Sequence, residues 1–449
     1  MKFVPKFGSL GRRAIRASGW NAVQLLAMTL ARLGSNLIMT RLLLPEAFGV
    51  MALVSSLLSA YILLSDIGIV RSIIRDPEGE DPHFLQAAWT VQLLRAVLVA
   101  GAILASAGAL WLLLPHVAPA GTIYADPRLP GLIALSALGP LMTGAMSANR
   151  PLAMRRLQNW RFAMVAVTSQ LVGIAAQVGL ASVWPTVWAL MFGMLTVNFV
   201  GLIFSHTVFP GPRMKIVWDR AIADRLWQFG KFIMGSSALT FVGQNADKFI
   251  LAGLLDATAF GLYSIALIWV AAGRQLIGQL SSRVGFPAMS EVFRDRPKEV
   301  PRLFNKMQTA IDIFCVLAFL ACVLLGPWFI GLLYTDTYQT AGHYLQLLGL
   351  AYLVARYNTI NELIMNTGNS RALMWVAAAN AVSICIFLPL GYSTLGVEGA
   401  ILAVALSPLV SAPYSIRLLR PVLGARWLRR EIACFAAILA AAAGTYLLY

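Results

Sequence analysis

The sequence predicts an all-α, polytopic membrane protein, and three observations carry the prediction. Hydrophobic residues fill 59% of the 449 positions and charged residues only 12%, more apolar surface than a soluble core of this length can hide. Apolar runs of about 20 residues or more recur from one end to the other, each long enough for a helix to cross a bilayer. Short segments rich in Gly, Pro, Arg and Asp separate them, as expected where the backbone must satisfy its own hydrogen bonds inside hydrocarbon. The expected architecture is about 12 to 13 transmembrane helices in two six-helix pseudo-repeat bundles around a central cavity.

Taken in order, residues 1–17 form a basic segment with Lys2, Lys6, Arg12, Arg13 and Arg16. The apolar run that follows is too long for a signal peptide and carries Arg32, so it reads as an uncleaved first helix. The first bundle, 18–208, holds spans at 18–43, 46–69, 84–114, 129–148, 161–183 and 185–208. Asp76, Glu78, Glu80 and Asp81 read as a solvated turn within it. A linker at 209–228 follows, where Trp218, Ile222, Leu226 and Phe229 share one helical side and Arg220, Arg225 and Gln228 lie off it. That pattern fits an amphipathic segment on the membrane surface. The second bundle, 229–420, holds spans at 229–254, 258–285, 303–333, 340–366, 371–391 and 397–419, and residues 421–449 add an extra helix at 430–448.

The net charge of +16 does not call for nucleic acid, because topology accounts for it. With the N-terminus in the cytoplasm, 28 of the 35 Lys and Arg residues fall in cytoplasmic segments and only Arg41 and Arg128 on the opposite side, the positive-inside bias of helical membrane proteins. A missed or invented helix would invert every later segment, and no inversion occurs. Trp20, Trp89, Trp111, Trp160, Trp184, Trp188 and Trp328 lie near span ends, as an interfacial belt requires, with Trp269 the exception. Cys315, Cys322, Cys385 and Cys434 all lie in spans, where small apolar filler is the plain reading. The four histidines are scattered without metal-ligand spacing, and no GxxxxGK[ST] loop is present. Neither an enzyme nor an organic cofactor or metal is expected.

Two segments repeat one another. RLLLPEAFGVMALV (41–54) and AGLLDATAFGLYSIAL (252–267) each follow a span bearing polar residues, turn through a short acidic loop and restart on Ala-Phe-Gly. An even number of spans between copies makes the repeat parallel, and transporters of that kind bind their cargo between the halves.

The polar residues inside spans are the candidate site. Ser237, Thr240, Gln244 and Asp247 make one helical stripe in GQNADKFILAGLL, with Lys248 one step round. The first span offers Asn21, Gln24, Arg32 and Asn36, and the tenth Tyr352, Arg356, Thr359, Glu362 and Asn366. Arg95 and Arg274 complete five intramembrane cations, Arg32, Arg95, Lys248, Arg274 and Arg356, against chiefly Asp247 and Asp312 well inside spans. Such a surplus points to a cationic, water-filled cavity for an anionic ligand. Arg presents a bidentate fork to phosphate and Lys a point charge. The competing reading is that these groups pair with one another, with Asp247, Asp312 and Glu362 neutralising neighbours and fixing helix packing. Arg274 can also snorkel to the cytoplasmic interface.

RLLLPEAFGVMALV, LLSDIGIVRSIIRD, FLQAAWTVQLLR and GSSALTFVGQNADKFILAGLLDATAFGLYSIAL resemble the polysaccharide transporter family of the multidrug/oligosaccharidyl-lipid/polysaccharide superfamily, especially its exopolysaccharide branch, over roughly residues 10 to 420. The resemblance implies a bacterial inner-membrane flippase that turns undecaprenyl-pyrophosphate-linked sugar repeat units to the periplasmic leaflet for exopolysaccharide, capsule or O-antigen synthesis. It implies a pyrophosphate for the cationic cavity, membrane lipids and a polysaccharide polymerase complex as partners, and H⁺ or Na⁺ as a coupling ion. A thirteenth span departs from the even number usual in that family. On this reading Arg32, Arg95, Lys248, Arg274 and Arg356 hold the pyrophosphate and adjacent sugars, Asn36, Gln244 and Asn366 bond hydroxyls, and Asp247 is the ion-coupling residue. Two alternatives remain: a cation-exporting multidrug antiporter, for which more cavity acids than bases are expected, and a membrane-embedded glycan polymerase or transferase, which calls for a catalytic His or carboxylate cluster.

Overall fold

The computed structural model of the protein describes residues 9–156, 158–280, 289, 292, 296–366 and 369–447. Lys2, Lys6, Arg283, Arg294 and the last residues of the expected eighth span lie outside them, as do the side chains of Asn21, Phe229, Thr240 and Asn366. The long elements are all helices: α1 Ser9–Met39, α2 Pro45–Leu64, α3 Ile69–Arg75, α4 Pro82–Val117, α5 Leu129–Ser136, α6 Leu138–Ala145, α7 Asn149–Arg155 and α8 Asn159–Val183. They continue with α9 Val187–Thr207, α10 Arg220–Leu254, α11 Ala257–Leu280, α12 Val300–Leu333, α13 Thr340–Ala355, α14 Tyr357–Asn366, α15 Ser370–Leu406 and α16 Ala412–Leu447.

Their surfaces are those of a membrane protein. On α4, Val97, Leu98, Trp111 and Leu112 are all more than half exposed, and on α12 Leu317, Leu324 and Trp328 are as well, which water would penalise and lipid does not. By length and apolarity seven described helical stretches can cross a bilayer, or eight if the pair Leu129–Ala145 and Asn149–Arg155, bent by 56°, is one crossing. One of the seven, Arg371–Tyr446, has 76 residues. At about 1.5 Å per residue it exceeds the hydrocarbon thickness several-fold, and the chain turns within it at Gly396 (φ 65°) and Gly424 (φ 83°). Positive φ is why glycine stands at both. The expected first, seventh and tenth spans are missing from that set among the described residues, and they are the three that carry polar stripes.

The chain forms two compact units. The first comprises Met1–Leu43, Val54–Ala118 and Ala125–Ala238, and the second Leu44–Leu53, Pro119–Tyr124 and Leu239–Tyr449. The division thus falls inside α10, not in a linker at 209–228. The reason is local: α10 begins at Arg220 and runs unbroken for 35 residues, and its first turns pack into the first unit. Ile222 and Leu226 are buried there with Ile67, Ile73, Phe84, Leu85 and Leu152. The apolar side of the linker therefore meets protein and not the membrane surface, while Trp218 stays 60% exposed.

The acidic turn between α3 and α4 is likewise more than a solvated loop. Asp81 caps α4 by accepting from Phe84 N at 3.0 Å, with Pro82 in the first turn. Arg225 Nη1 reaches Asp76 at 3.2 Å and Glu78 at 2.9 Å, and Arg156 Nη2 reaches Glu80 at 2.7 Å. The turn is the acceptor for the basic ends of α7 and α10.

In the second unit the two copies of the repeat meet. Gly261 lies so close to α2 that a Cβ there would sit 2.1 Å from Pro45 O, and a Cβ on Gly49 would sit 3.1 Å from Gly261 N. Glycine in both Ala-Phe-Gly motifs is what the approach requires. Asp256 caps α11 through Ala259 N at 2.8 Å, and Ala257 N donates to Gly121 O at 3.0 Å, drawing residues 119–124 into this unit.

Candidate functional site

Four of the expected site residues, Gln244, Asp247, Lys248 and Arg274, lie on α10 and α11 of the second unit. Asp247 is buried, and its Oδ2 accepts from the Tyr263 hydroxyl at 2.6 Å. Tyr263 is itself fully buried on α11. Adjacent helical residues point about 100° apart, and Lys248 accordingly faces elsewhere: its Nζ donates to Asn245 Oδ1 at 3.0 Å and Gln244 O at 3.3 Å. Lys248 has no carboxylate partner among the described residues, and Gln244 is exposed.

Arg274, three turns beyond Tyr263 on α11, interacts electrostatically with Asp247, Tyr263 and Tyr352. It also lines a narrow cleft with Asn358 and Asn361 of α14, Asn380 of α15 and Ser411. Asn380 Oδ1, in this lining, is buried without a hydrogen-bond partner among the described residues. One guanidinium among amides and hydroxyls is the chemistry that binds a phosphate and the hydroxyls of a neighbouring sugar.

Arg356 stands apart from this set. It lies at the break between α13 and α14, only 4% exposed. Its Nε and Nη2 bond Asp312 of α12 at 2.8 and 3.1 Å, and its Nη1 and Nη2 bond Glu431 of α16 at 2.5 and 3.0 Å. Arg430 also reaches Asp312, and Gln308 Nε2 donates to the same carboxylate at 2.9 Å. Two cations and two anions close into a neutral tetrad joining α12, α14 and α16. All three guanidinium nitrogens are engaged by carboxylates, the contacts expected of a side chain that fixes helix packing. The break at Arg356 also changes the phase of the tenth span. Thr359, on the expected stripe, is buried, whereas Asn358 is exposed.

The remaining candidates lie in the first unit. Arg32 is exposed on α1 and Asn36, one turn on, is 8% exposed. Arg95 of α4 donates to Ser65 O at 3.3 Å and lies 3.6 Å from Asp66. Among the described residues no group of three or more His, Cys, Asp and Glu side chains is arranged to hold a metal ion.

Sequence reasoning missed Tyr263, Glu431, Asn358, Asn361 and Asn380. Asn358 and Asn361 carried a signal, their spacing of three, but the stripe drawn through Arg356 assumed an unbroken helix. Glu431 carried none, since it lies 75 residues from Arg356.

A family described as polysaccharide biosynthesis protein matches residues 38–343. The lipopolysaccharide biosynthesis protein WzxC of Escherichia coli (strain K12) is 22% identical over 430 residues, 93% of this chain and 83% of WzxC. The succinoglycan biosynthesis transport protein ExoT of Rhizobium meliloti (strain 1021) is 22% identical over 349 residues, 77% of this chain and 68% of ExoT. Among solved structures, the lipid II flippase MurJ in an inward closed conformation superposes with a TM-score of 0.63 at 13% identity, covering 97% of this chain and 92% of MurJ. An inward-facing multidrug resistance MATE family transporter of the MOP superfamily gives 0.61 at 13% identity, covering 91% of this chain and 96% of its own. At such identities the structural likeness shows the fold.

Proposed function

The chain belongs to the polysaccharide biosynthesis protein family, and from that premise we propose that it is a flippase for undecaprenyl-pyrophosphate-linked oligosaccharide repeat units, working by alternating access in the bacterial inner membrane with its N-terminus in the cytoplasm. Family membership over most of the chain is the observation that carries the reading. The names of WzxC and ExoT, a polysaccharide biosynthesis protein and a polysaccharide transport protein, support it. The process is translocation and not catalysis, so binding and release of an anion are what the side chains must achieve.

In this reading Lys248 and Arg274 attract the pyrophosphate, and the amides of Asn358, Asn361 and Asn380 join Gln244 and Asn366 in bonding sugar hydroxyls. Asp247 is the coupling residue for H⁺ or Na⁺, and a polysaccharide polymerase complex receives the product. The surplus of cations over acids in the candidate set favours an anionic cargo over the cationic cargo of a multidrug antiporter.

The test is loss of the chain in its native host. Lipid-linked repeat units should accumulate on the cytoplasmic leaflet while polymer export stops, and the purified protein in proteoliposomes should expose such units to an external glycosidase. Undiminished polymer export without the chain overturns the reading.

A further inference from the structure

We propose that the first unit carries a separate anion site that takes the phosphate of a membrane lipid, built on Arg95 and Arg150. The two residues line a cavity of about 340 Å³ among α2, α3, α4, α6, α7 and α8, within the size range of ligand pockets. It shares no residue with the cleft at Arg274. The break between α6 and α7 forms one wall. Gln92 of α4 fixes that wall by donating to the carbonyls of Thr143, Gly144 and Met146, at 3.3, 2.8 and 3.3 Å, and Arg150, one turn beyond Met146, lines the same cavity as Arg95.

The charge in this cavity is not balanced. Asp66 is the one acid in its lining. Its Oδ1 accepts from Gly68 N at 2.9 Å and lies 3.6 Å from Arg95 Nη1. Arg150 has no carboxylate partner among the described residues: its guanidinium meets the thioether sulfur of Met146 and lies 5.7 Å from the centre of the Phe162 ring. Sulfur is a weak acceptor, and an aromatic face compensates only part of a desolvated cation. The Nε atoms of both Arg95 and Arg150 are buried without a hydrogen-bond partner among the described residues. A half-buried guanidinium in this state calls for an anion, and two arginines lining one cavity offer the forks that bind phosphate oxygens.

The mouth of the cavity selects a lipid. Ile62, Val70 and Met154 line it as well and are 37%, 44% and 43% exposed, an apolar rim beside the arginines. An amphiphile can therefore place its tail along them and its headgroup on the arginines, whereas free phosphate gains nothing from that rim. The positive-inside bias sets Arg150 on the cytoplasmic side, where both glycerophospholipids and an isoprenoid pyrophosphate present phosphate.

The inference goes beyond the transport reading, and equilibrium binding without turnover tests it separately. Purified full-length protein in detergent is titrated, by native mass spectrometry, with phosphatidylglycerol, undecaprenyl pyrophosphate, diacylglycerol and inorganic phosphate. Phosphate lipids should bind, R150Q should weaken them about tenfold, and R150K should restore much of the loss. Binding of phosphatidylglycerol as well as the isoprenoid identifies bulk lipid as the ligand, and binding of the isoprenoid alone identifies the carrier. A photoactivatable phosphatidylglycerol or isoprenoid pyrophosphate should label peptides within 143–162 of the unaltered protein, which carries the test should R150Q fail to fold. Equal binding of diacylglycerol, displacement by inorganic phosphate at lipid concentrations, unchanged affinity in folded R150Q, or labelling confined to other peptides overturns the proposal.

Discussion

Thr258 Oγ1 donates to Glu46 Oε1 at 2.6 Å across 212 residues of sequence. The same offset separates the two Ala-Phe-Gly motifs, so each residue of this bond occupies the other's position in the repeat. Gly49 and Gly261 meet in the same way. Equivalent positions of the two copies are thus in contact at the starts of α2 and α11.

Gly261→Ala should therefore destabilise the protein by about 1–3 kcal/mol, because a methyl group 2.1 Å from Pro45 O forces backbone to move. Gly49→Ala should cost less, its nearest atoms being 3.1 Å away, and Gly34→Ala, with nothing within 4 Å, should be the neutral control. Thermal unfolding of the three purified variants ranks them. Equal melting temperatures for G261A and G34A would show that the close approach is absent in the native protein.

The tetrad at Arg356 gives a different signature from a ligand site. Arg356→Gln strands the buried Glu431 charge and leaves Asp312 to Arg430 and Gln308, which should cost about 3–5 kcal/mol and reduce the amount of folded protein in the membrane. Because Arg356 bonds Asp312 twice, Asp312→Asn on the R356Q background should cost less than on the unaltered chain, a coupling that a double-mutant cycle of thermal stabilities measures. Wild-type stability of R356Q combined with lost transport would return Arg356 to the ligand set.

Topology follows from the charge bias. Reporter fusions after residues 78, 155, 218 and 295 should report cytoplasm, and those after 120 and 338 periplasm. Inverted signals at two or more of these positions contradict the order of spans.

How far the sequence reached depended on which forces its pattern records. Apolar runs register the bilayer directly, so the helices and the Ala-Phe-Gly repeat were legible before any contact was known. An apolar face does not record whether lipid or protein covers it: Ile222 and Leu226 read as a membrane-surface stripe and are buried against Phe84 and Leu85. Periodicity likewise places Asp247 and Lys248 on different sides of α10, but it cannot name Tyr263 as the partner across the turn to α11. It failed where the helix breaks. The cations legible as a surplus thus differ in their contacts: Arg356 is neutralised by Asp312 and Glu431, Arg95 lies 3.6 Å from Asp66, and Lys248 has no carboxylate partner among the described residues.

Lys248→Gln and Arg274→Gln should keep normal membrane levels, since among the described residues neither side chain is held by a carboxylate hydrogen bond, and should weaken binding of lipid-linked repeat units by about tenfold each. Scintillation proximity binding with labelled substrate reads the change. Unaltered affinity in the double variant would remove both residues from the proposed binding role.

The bond between Asp247 and Tyr263 bears on coupling. Asp247 is 8% exposed, and a carboxylate so placed in a membrane span is held by its hydrogen bond or relieved by binding a cation or a proton. In the proposed cycle the ligand satisfies Lys248 while Asp247, one step round the helix, takes up H⁺ or Na⁺ when the carrier returns empty. Asp247→Asn preserves shape and can still accept from the Tyr263 hydroxyl, but it removes the titratable charge, so transport in proteoliposomes should lose its dependence on an imposed ion gradient. Tyr263→Phe removes one hydrogen bond and should lower stability by about 1 kcal/mol while leaving that dependence in place. The two variants separate the coupling role from the packing role: full gradient dependence in D247N assigns Asp247 to packing alone.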